Sequence, residues 1–156
     1  FSTWNLGSDH EKQIIARTSE DTRRVFYLVS EDNGLSWSDP QEVTGQVKDE
    51  PWGWYATGPG AGIELARGKH KGRLVIPCDH IEAGTKKYFS HIIYSDDHGK
   101  IWQLGGTTLQ DQVNECTVAG NLRDMLMRIV PANDARLHLS RVVPSLLVEG
   151  MTLAGD

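Results

Sequence analysis

Few residues of this chain combine the types and the spacing that common enzymatic motifs require. The run Gly58-Pro59-Gly60-Ala61-Gly62 has the composition of a phosphate loop but matches neither GxGxxG nor GxxxxGK[ST]. Gly68-Lys69 is followed by His70, and the upstream glycine of a P-loop is missing. The chain also lacks a GxSxG sequence. Neither a P-loop nor a serine nucleophile elbow is therefore predicted.

Histidines and cysteines could supply metal or redox chemistry, but their spacing is wrong for either. The six histidines include no HExxH pair, and Asp79-His80 with His91 or His98 matches no recognised ligand pattern. We therefore predict no metal site and no cofactor. Cys78 and Cys116 lack CxxC spacing. They could form one disulfide, although two buried free thiols are the favoured interpretation.

The overall charge and hydropathy of the chain exclude two classes of partner. The chain has 156 residues, with 16 Lys+Arg against 21 Asp+Glu and a formal net charge of −5. Because neutralising phosphates supplies most nucleic-acid affinity, an acidic chain without a basic stripe predicts no nucleic-acid partner. No apolar run approaches the roughly 18 residues of a membrane-spanning helix, so no transmembrane segment is predicted.

One octapeptide pattern, S-x-D-x-G-x-x-W, occurs twice, each time after a segment that reads as a strand. The glycine supplies a backbone with φ > 0, the aspartate and serine bond to backbone groups of the turn, and the tryptophan packs back over the hairpin. This pattern is the Asp box, whose role is structural. Its residues are Ser30, Asp32, Gly34, Trp37, and Ser95, Asp97, Gly99, Trp102.

The rest of the chain reads as short β-branched segments separated by turn clusters, with no helical period kept for three turns. Such short strands predict an all-β fold, and two Asp boxes favour a β-propeller with one box-bearing hairpin per blade. The predicted strands are Gln13–Thr18, Val25–Ser30, Arg73–Pro77, His91–Ser95, Cys116–Ala119 and Met125–Val130.

Several stretches, taken in order, resemble bacterial exo-α-sialidases over about residues 1–119. They are Thr3–Asp9, Ser19–Val25, the two Asp boxes, Trp52–Gly60 (WGWYATGPG), Gly72–His80 (GRLVIPCDH) and Asn114–Val118 (NECTV). The resemblance implies a six-bladed propeller, of which two to three blades are present. It also implies hydrolysis of terminal α-linked sialic acid with retention, without a cofactor, on sialylated oligosaccharides, glycoproteins and gangliosides. An extracellular or periplasmic location is expected on the same basis.

The chemistry that this resemblance implies uses a tyrosine nucleophile. The anomeric carbon of sialic acid carries a carboxylate, which would repel the usual Asp or Glu nucleophile, whereas a neutral phenol avoids this repulsion. A glutamate takes the phenol proton, an aspartic acid protonates the leaving group and three arginines bind the sugar carboxylate.

Transferred to this sequence, the resemblance assigns one catalytic and four substrate-binding residues. Glu115 matches the glutamate that activates the tyrosine. Asp79 and His80 match positions near the glycerol side chain of the sugar, and Tyr55 lies in a stretch beside the pocket; for these three a structural role in their loops is the alternative. Arg128 is the candidate for the second arginine of the triad, although it arrives a few residues early, and a surface arginine is the alternative.

Other parts of the site are expected outside this chain. The acid aspartate and the first arginine belong before Phe1, and the tyrosine and the third arginine belong after Asp156, so the chain by itself is expected to be inactive. We divide it into an incomplete propeller segment, residues 1–130, and an unassigned tail, residues 131–156, for which a frameshift or a truncated reading is the favoured explanation. The alternative function is a non-catalytic Asp-box module that binds carbohydrate or protein.

Overall fold

Three antiparallel sheets follow one another along the chain. The computed structural model describes residues 1–109, 111–120, 125–131 and 138–140, the last two ranges as backbone strands. The first sheet contains β1 (Ser2–Trp4), β2 (Arg24–Tyr27) and β3 (Gln41–Glu42), in that order. The second has the order β4 (Trp52–Thr57), β6 (Leu74–Glu82), β7 (Tyr88–Ser95), β8 (Gln103–Thr107), with β5 (Ile63–Glu64) also paired to β6. The third has the order β11 (His138–Ser140), β10 (Met125–Pro131), β9 (Val113–Gly120).

Two short helices, α1 (Glu11–Ala16) and α2 (Thr44–Val47), join strands of this β structure. The prediction of a strand over Gln13–Thr18 is wrong, because most of this segment lies in α1. The backbone N–H of His10 donates to Oε1 of Gln13 at the start of α1, and Arg17 ends the helix in the left-handed conformation at φ 56°. These capping interactions, together with burial of Ile14, outweigh the β-propensity of the two isoleucines.

The second sheet is covered on both faces, which is why β6 and β7 are almost continuously buried. On one face a cluster that we call the first core contains Val25, Val43, Val47, Tyr55, Cys78, Ile93 and Trp102. On the other face a second core contains Val75, Ile92, Val113, Cys116 and Val118. Burial of each Val or Ile side chain stabilises the fold by about 1.5–3 kcal/mol. The alternation of side chains along β6 therefore decides which core each residue enters.

Both Asp boxes form the turns that the sequence predicts, one between β2 and β3 and one between β7 and β8. In the first, the Ser30 hydroxyl accepts the N–H of Gly34 at 2.7 Å, and Asp32 accepts the N–H of Ser36 at 2.9 Å. The second repeats this arrangement: Ser95 accepts from Gly99 and Asp97 accepts from Ile101, each at 2.9 Å. Both box glycines have φ of 87°, a left-handed conformation that favours glycine.

The two box tryptophans, in contrast, lie in different environments. Trp102 is 4% exposed, its Nε1–H donates to the carbonyl of Gly99, and its ring meets that of Phe1 edge-on at 4.7 Å. Trp37 is 61% exposed, so the prediction that both tryptophans are buried is wrong for Trp37. The two tryptophans differ in exposure because their surroundings differ. Trp102 fills the first core between two sheets, whereas no aromatic ring among the described residues contacts Trp37.

Replacing each tryptophan by alanine should therefore have unequal effects on the free energy of unfolding. Trp102→Ala removes a ring from the first core and should cost about 3–5 kcal/mol. Trp37→Ala should change the stability by less than about 1 kcal/mol, because its ring is mostly in water. Urea denaturation followed by far-UV circular dichroism compares the two variants, and equal losses would contradict the described packing.

Candidate active site

Asp79 and Glu115 lie on two strands, β6 and β9, that pack against each other. Asp79 lies on the face of β6 that carries the second core, and β9 brings Glu115 to the same junction. Two hydrogen bonds tie β9 to the second sheet: the thiol of Cys116 donates to the carbonyl of Cys78 on β6 at 3.2 Å, and the hydroxyl of Ser90 on β7 donates to the carbonyl of Asn114. Because each bond involves a neighbour of Asp79 or Glu115, the two carboxyl groups are positioned by strand packing and do not depend on a mobile loop.

The two carboxyl groups differ in their contact with water. Asp79 is 4% exposed, whereas Glu115 is an exposed residue of its strand. Burial raises the pKa of Asp79 to about 7, and the nearby negative charge of Glu115 acts in the same direction. Among the described residues, no donor forms a hydrogen bond with the carboxyl group of Asp79. The site therefore combines an accessible carboxylate with a buried carboxyl group that exchanges its proton near neutral pH.

His80 is adjacent to Asp79 in sequence but lies on the opposite face of the sheet. It is 2% exposed, and its ring stacks on Trp52 with a centroid distance of 3.5 Å. Its Nδ1 is 3.0 Å from Nδ1 of His91, so one of the two rings donates and the other accepts. Burial lowers the pKa of His80 to about 3 and that of His91 well below its usual value. Both histidines are therefore neutral packing residues at pH 7.

Tyr55 belongs to the same buried cluster. Its side chain is fully buried, with its ring edge-on to His91 at 5.0 Å, and burial raises the pKa of its phenol well above the usual value. Its hydroxyl has no hydrogen-bond partner among the described residues. Tyr55, His80 and Asp79 are all buried, which supports the structural alternative for each of them, and their contact with substrate stays a prediction. Of the three residues, Asp79 is the one whose pKa is affected by the charge of Glu115.

Arg128 enters this region through the third sheet. In the ladder between β9 and β10 it is paired with Thr117, two residues after Glu115 along β9. The side chain of Arg128 lies outside what the structure describes, so its assignment as the second arginine of the triad stays a prediction. The division between residues 1–130 and the tail 131–156 also concerns residues that are mostly outside the described part of the chain.

Cys78 and Cys116 are both free and buried, which confirms the favoured interpretation of two thiols. Burial raises the pKa of Cys116 to about 12 and raises that of Cys78 further, so neither sulfur is an ionised nucleophile at neutral pH. Within the described residues, no group of three His, Cys, Asp or Glu side chains could hold a metal ion. None of the helices in this part of the chain has the length and apolar character needed to cross a membrane.

The glycine-rich run at 58–62 has a packing role that its sequence did not reveal. Pro59 pairs with Cys116 in an isolated parallel bridge. A Cβ atom built on Gly60 would lie 2.4 Å from Cβ and 2.8 Å from Cα of Thr117, so only glycine lets the run approach β9. The hydrogen bond from Ser90 to Asn114 could not be predicted from the sequence, because no spacing links the two residues. Only the packing of β7 on β9 brings them together.

Comparison with known proteins agrees with the resemblance in the motifs. Residues 5–140 match the family described as BNR repeat-like domain. Sialidase-4 of Homo sapiens is 33% identical over 128 residues, covering 73% of this chain and 25% of the relative. The sialidase of Bacteroides fragilis is 37% identical over 83 residues, covering 53% of this chain and 14% of the relative. The chain thus spans about a quarter or less of the length of these curated relatives.

Solved structures show the same fold. The Hadza microbial sialidase Hz136 superposes with a TM-score of 0.73 at 24% identity, covering 88% of this chain and 27% of that chain. The intramolecular trans-sialidase from Ruminococcus gnavus gives a TM-score of 0.54 at 24% identity, covering 78% of this chain and 26% of that chain. These similarities confirm the prediction of a partial sialidase-like β-propeller.

Substituting Gly60 tests the contact between the glycine-rich run and β9. Gly60→Ala should lower the free energy of unfolding by roughly 1–3 kcal/mol, because the new methyl group collides with the backbone and side chain of Thr117. Gly45→Ala is the matched control, since a Cβ atom there meets nothing within 4 Å. Urea denaturation measures both, and a Gly60→Ala protein as stable as the control would contradict the close approach.

Buried His80 should make stability depend on pH. Its pKa is lowered in the folded state, so the unfolded chain binds more protons below its usual pKa of 6.5, and the folded state loses stability as the pH falls from about 6.5 towards 3. In His80→Phe, which retains an aromatic ring on Trp52, the loss of unfolding free energy between pH 7 and pH 4 should be smaller by roughly 1–3 kcal/mol.

This effect is read from the difference between the two proteins, measured by denaturation at pH 7, 5.5 and 4. Asp79, whose pKa is raised, contributes the opposite slope between pH 4 and 7, but it does so in both proteins. An identical pH dependence in His80→Phe and the unmodified chain would contradict a neutral, buried His80.

Proposed function

The chain belongs to the BNR repeat-like domain family, and we propose that, within a complete propeller, it supplies one side of the active site of an exo-α-sialidase. The substrates are glycoconjugates that end in α-linked sialic acid, and the sugar is released by hydrolysis with retention. The observation that carries this proposal is the position of Glu115, an accessible carboxylate on β9 next to a buried carboxyl group, in the Asn-Glu-Cys stretch that resembles the sialidases.

Glu115 is suited to act as a general base. Its carboxylate is in contact with water, while the backbone of β9 on either side is tied to the second sheet through Asn114 and Cys116. A base held in this way can accept the proton of a tyrosine phenol without a large change in its own position. The tyrosine nucleophile comes from the resemblance and belongs to another part of the propeller.

Arg128 and Asp79 have supporting roles in this proposal. The guanidinium of Arg128 binds the sugar carboxylate, a role suited to arginine because its planar group can form two parallel hydrogen bonds with a carboxylate. The pairing of Arg128 with Thr117 supports this assignment, because it places the arginine backbone close to Glu115 along the strands. Asp79 belongs to the wall of the site, since the resemblance places it near the glycerol side chain of the sugar.

Replacing Glu115 by glutamine tests the proposed function in a completed enzyme, in which this segment replaces the matching part of Hz136. Glu115→Gln removes the base but keeps the shape of the side chain, so kcat for a 2-α-aryl sialoside should fall by about 10²–10⁴. Binding of free sialic acid, measured by calorimetry, should change by less than about threefold, since the carboxylate acts mainly in the transition state.

Glu31→Gln is the control for the loss of one negative charge, because Glu31 is exposed and lies in the turn of the first Asp box. It should retain full turnover. Unchanged turnover in Glu115→Gln would overturn the role of Glu115. A folded completed enzyme that binds sialic acid but does not cleave the sialoside would instead favour the carbohydrate-binding alternative.

A further inference from the structure

We propose that the outer face of the first sheet, which carries Trp4, Phe26 and Trp37, packs against a further β-sheet of the complete propeller. In that arrangement the further sheet covers the Trp37 ring with apolar side chains, as the first sheet covers Trp102. The contact concerns the assembly of the propeller, so it is independent of the catalytic role proposed for Glu115.

The two Asp boxes place their tryptophan rings in the same way relative to their own turns. A Cβ atom built on Gly34 would lie 3.7 Å from Cζ2 of Trp37, and one built on Gly99 would lie 3.5 Å from Cζ2 of Trp102. Each ring therefore folds back over the glycine of its own turn. The difference between 61% exposure for Trp37 and 4% for Trp102 arises from what lies against the ring from outside the turn.

The first sheet supplies this outside contact for Trp102. The ring of Phe1, next to β1, meets the Trp102 ring at a centroid distance of 4.7 Å, and the ring of Tyr27 on β2 lies 6.3 Å from it. The Asp-box tryptophan of one sheet is thus covered by aromatic residues of the sheet before it. Because repeated units of this kind bury their apolar faces against their neighbours, the repeat predicts an equivalent cover for Trp37 from a further sheet.

The pairing of β1 with β2 places two more aromatic residues on the uncovered side of the first sheet. Successive residues of a strand point to opposite faces. Val25 lies in the first core and Tyr27 packs against it, so Phe26 points away from that core. The ring of Trp4, which is 44% exposed, stacks on the ring of Phe26 at 4.4 Å. An aromatic pair therefore lies on the outer face, where neither core of the described residues covers it.

The internal repeat places Trp37 on this same face. Counted back four residues from the box serine, Phe26 in the first sheet corresponds to His91 in the second. His91 contacts the ring of Tyr55, which lies in the first core together with Trp102. His91 and Trp102 thus share a face of the second sheet, and Phe26 and Trp37 share the corresponding face of the first.

The charged groups beside the aromatic pair indicate what kind of partner fits. Arg24 is paired with Trp4 in the ladder, and its guanidinium bonds to Asp21 at 2.7 Å and to Glu42 at 3.1 Å. Since these charges are already matched, the face requires apolar side chains from its partner and no complementary charge. Another sheet of the propeller meets this requirement, and because the chain covers 27% of Hz136, most of such a propeller lies outside it.

Hydroxyl-radical footprinting with mass spectrometry tests the contact in the completed enzyme, in which this segment replaces the matching part of Hz136. The oxidation rates of Trp37 and Trp102 are each divided by the rate of the same residue in the urea-unfolded protein. If a sheet covers Trp37, the two ratios should agree within about threefold, because interface cores are packed as densely as protein interiors.

The result that would overturn the contact is a ratio for Trp37 that exceeds that of Trp102 by roughly tenfold or more, as 61% against 4% exposure predicts. Leu35, which is 88% exposed in the same turn, is the internal control. It should be oxidised at close to its unfolded rate, since it lies at the tip of the turn.

Substitution of Trp37 provides a second test in the completed enzyme. Trp37→Ala should lower the midpoint of thermal unfolding by at least about 2 °C, and Trp37→Phe should restore at least about half of the loss. Leu35→Ala is the matched control and should lower the midpoint by less than about 1 °C. A Trp37→Ala enzyme as stable as the Leu35→Ala enzyme would contradict the interface.

A second copy of this chain is the alternative occupant of the outer face. Protection of Trp37 that develops in the 156-residue chain as its concentration is raised, while Trp37 stays oxidised in the completed enzyme, would overturn the further sheet in favour of self-association. None of these measurements uses turnover. A completed enzyme without sialidase activity would therefore refute the proposed function and still decide whether the outer face is covered.

Discussion

The packing of both faces of the second sheet is the constraint on which the rest of the structure depends. Along β6, successive side chains point to opposite faces, and a different core covers each face. This separates His80, stacked under Trp52 in the first core, from Asp79, which meets β9 on the other side. A shift of one residue in register would exchange the two environments and remove the carboxyl group from Glu115.

The chemistry of the candidate site follows from this separation. Asp79 and Glu115 are both carboxylic acids, but strand packing buries one and leaves the other in water. Unequal solvation is a general way for a protein to give two similar groups different protonation states at one pH. The bonds from Cys116 to Cys78 and from Ser90 to Asn114 hold β9 against β6 and β7. Residues with no role in the reaction thereby determine the charge of the site.

The two Asp boxes have the same turn geometry, which the local motif determines, but their tryptophans differ in burial, which the surrounding structure determines. Their serine and aspartate bonds and their left-handed glycines agree closely, because each turn satisfies its own backbone groups within eight residues. Their tryptophans do not agree, since Trp102 lies between two sheets and Trp37 does not. The repeated hydrogen bonds of this turn therefore do not predict whether its tryptophan belongs to a core.

The sequence by itself determined the all-β class, the Asp-box turns and the family resemblance, since these depend on residues close together in the chain. The sequence also predicts Glu115 as the base, and this role stays a prediction. It did not identify α1, because capping by His10 and Arg17 and burial of Ile14 outweighed the local β-propensity of that segment. Nor could it separate Asp79 from His80, or pair His80 with His91. Those relations depend on strand register and on contacts between distant segments, and burial free energy decides them only when the sheets pack together.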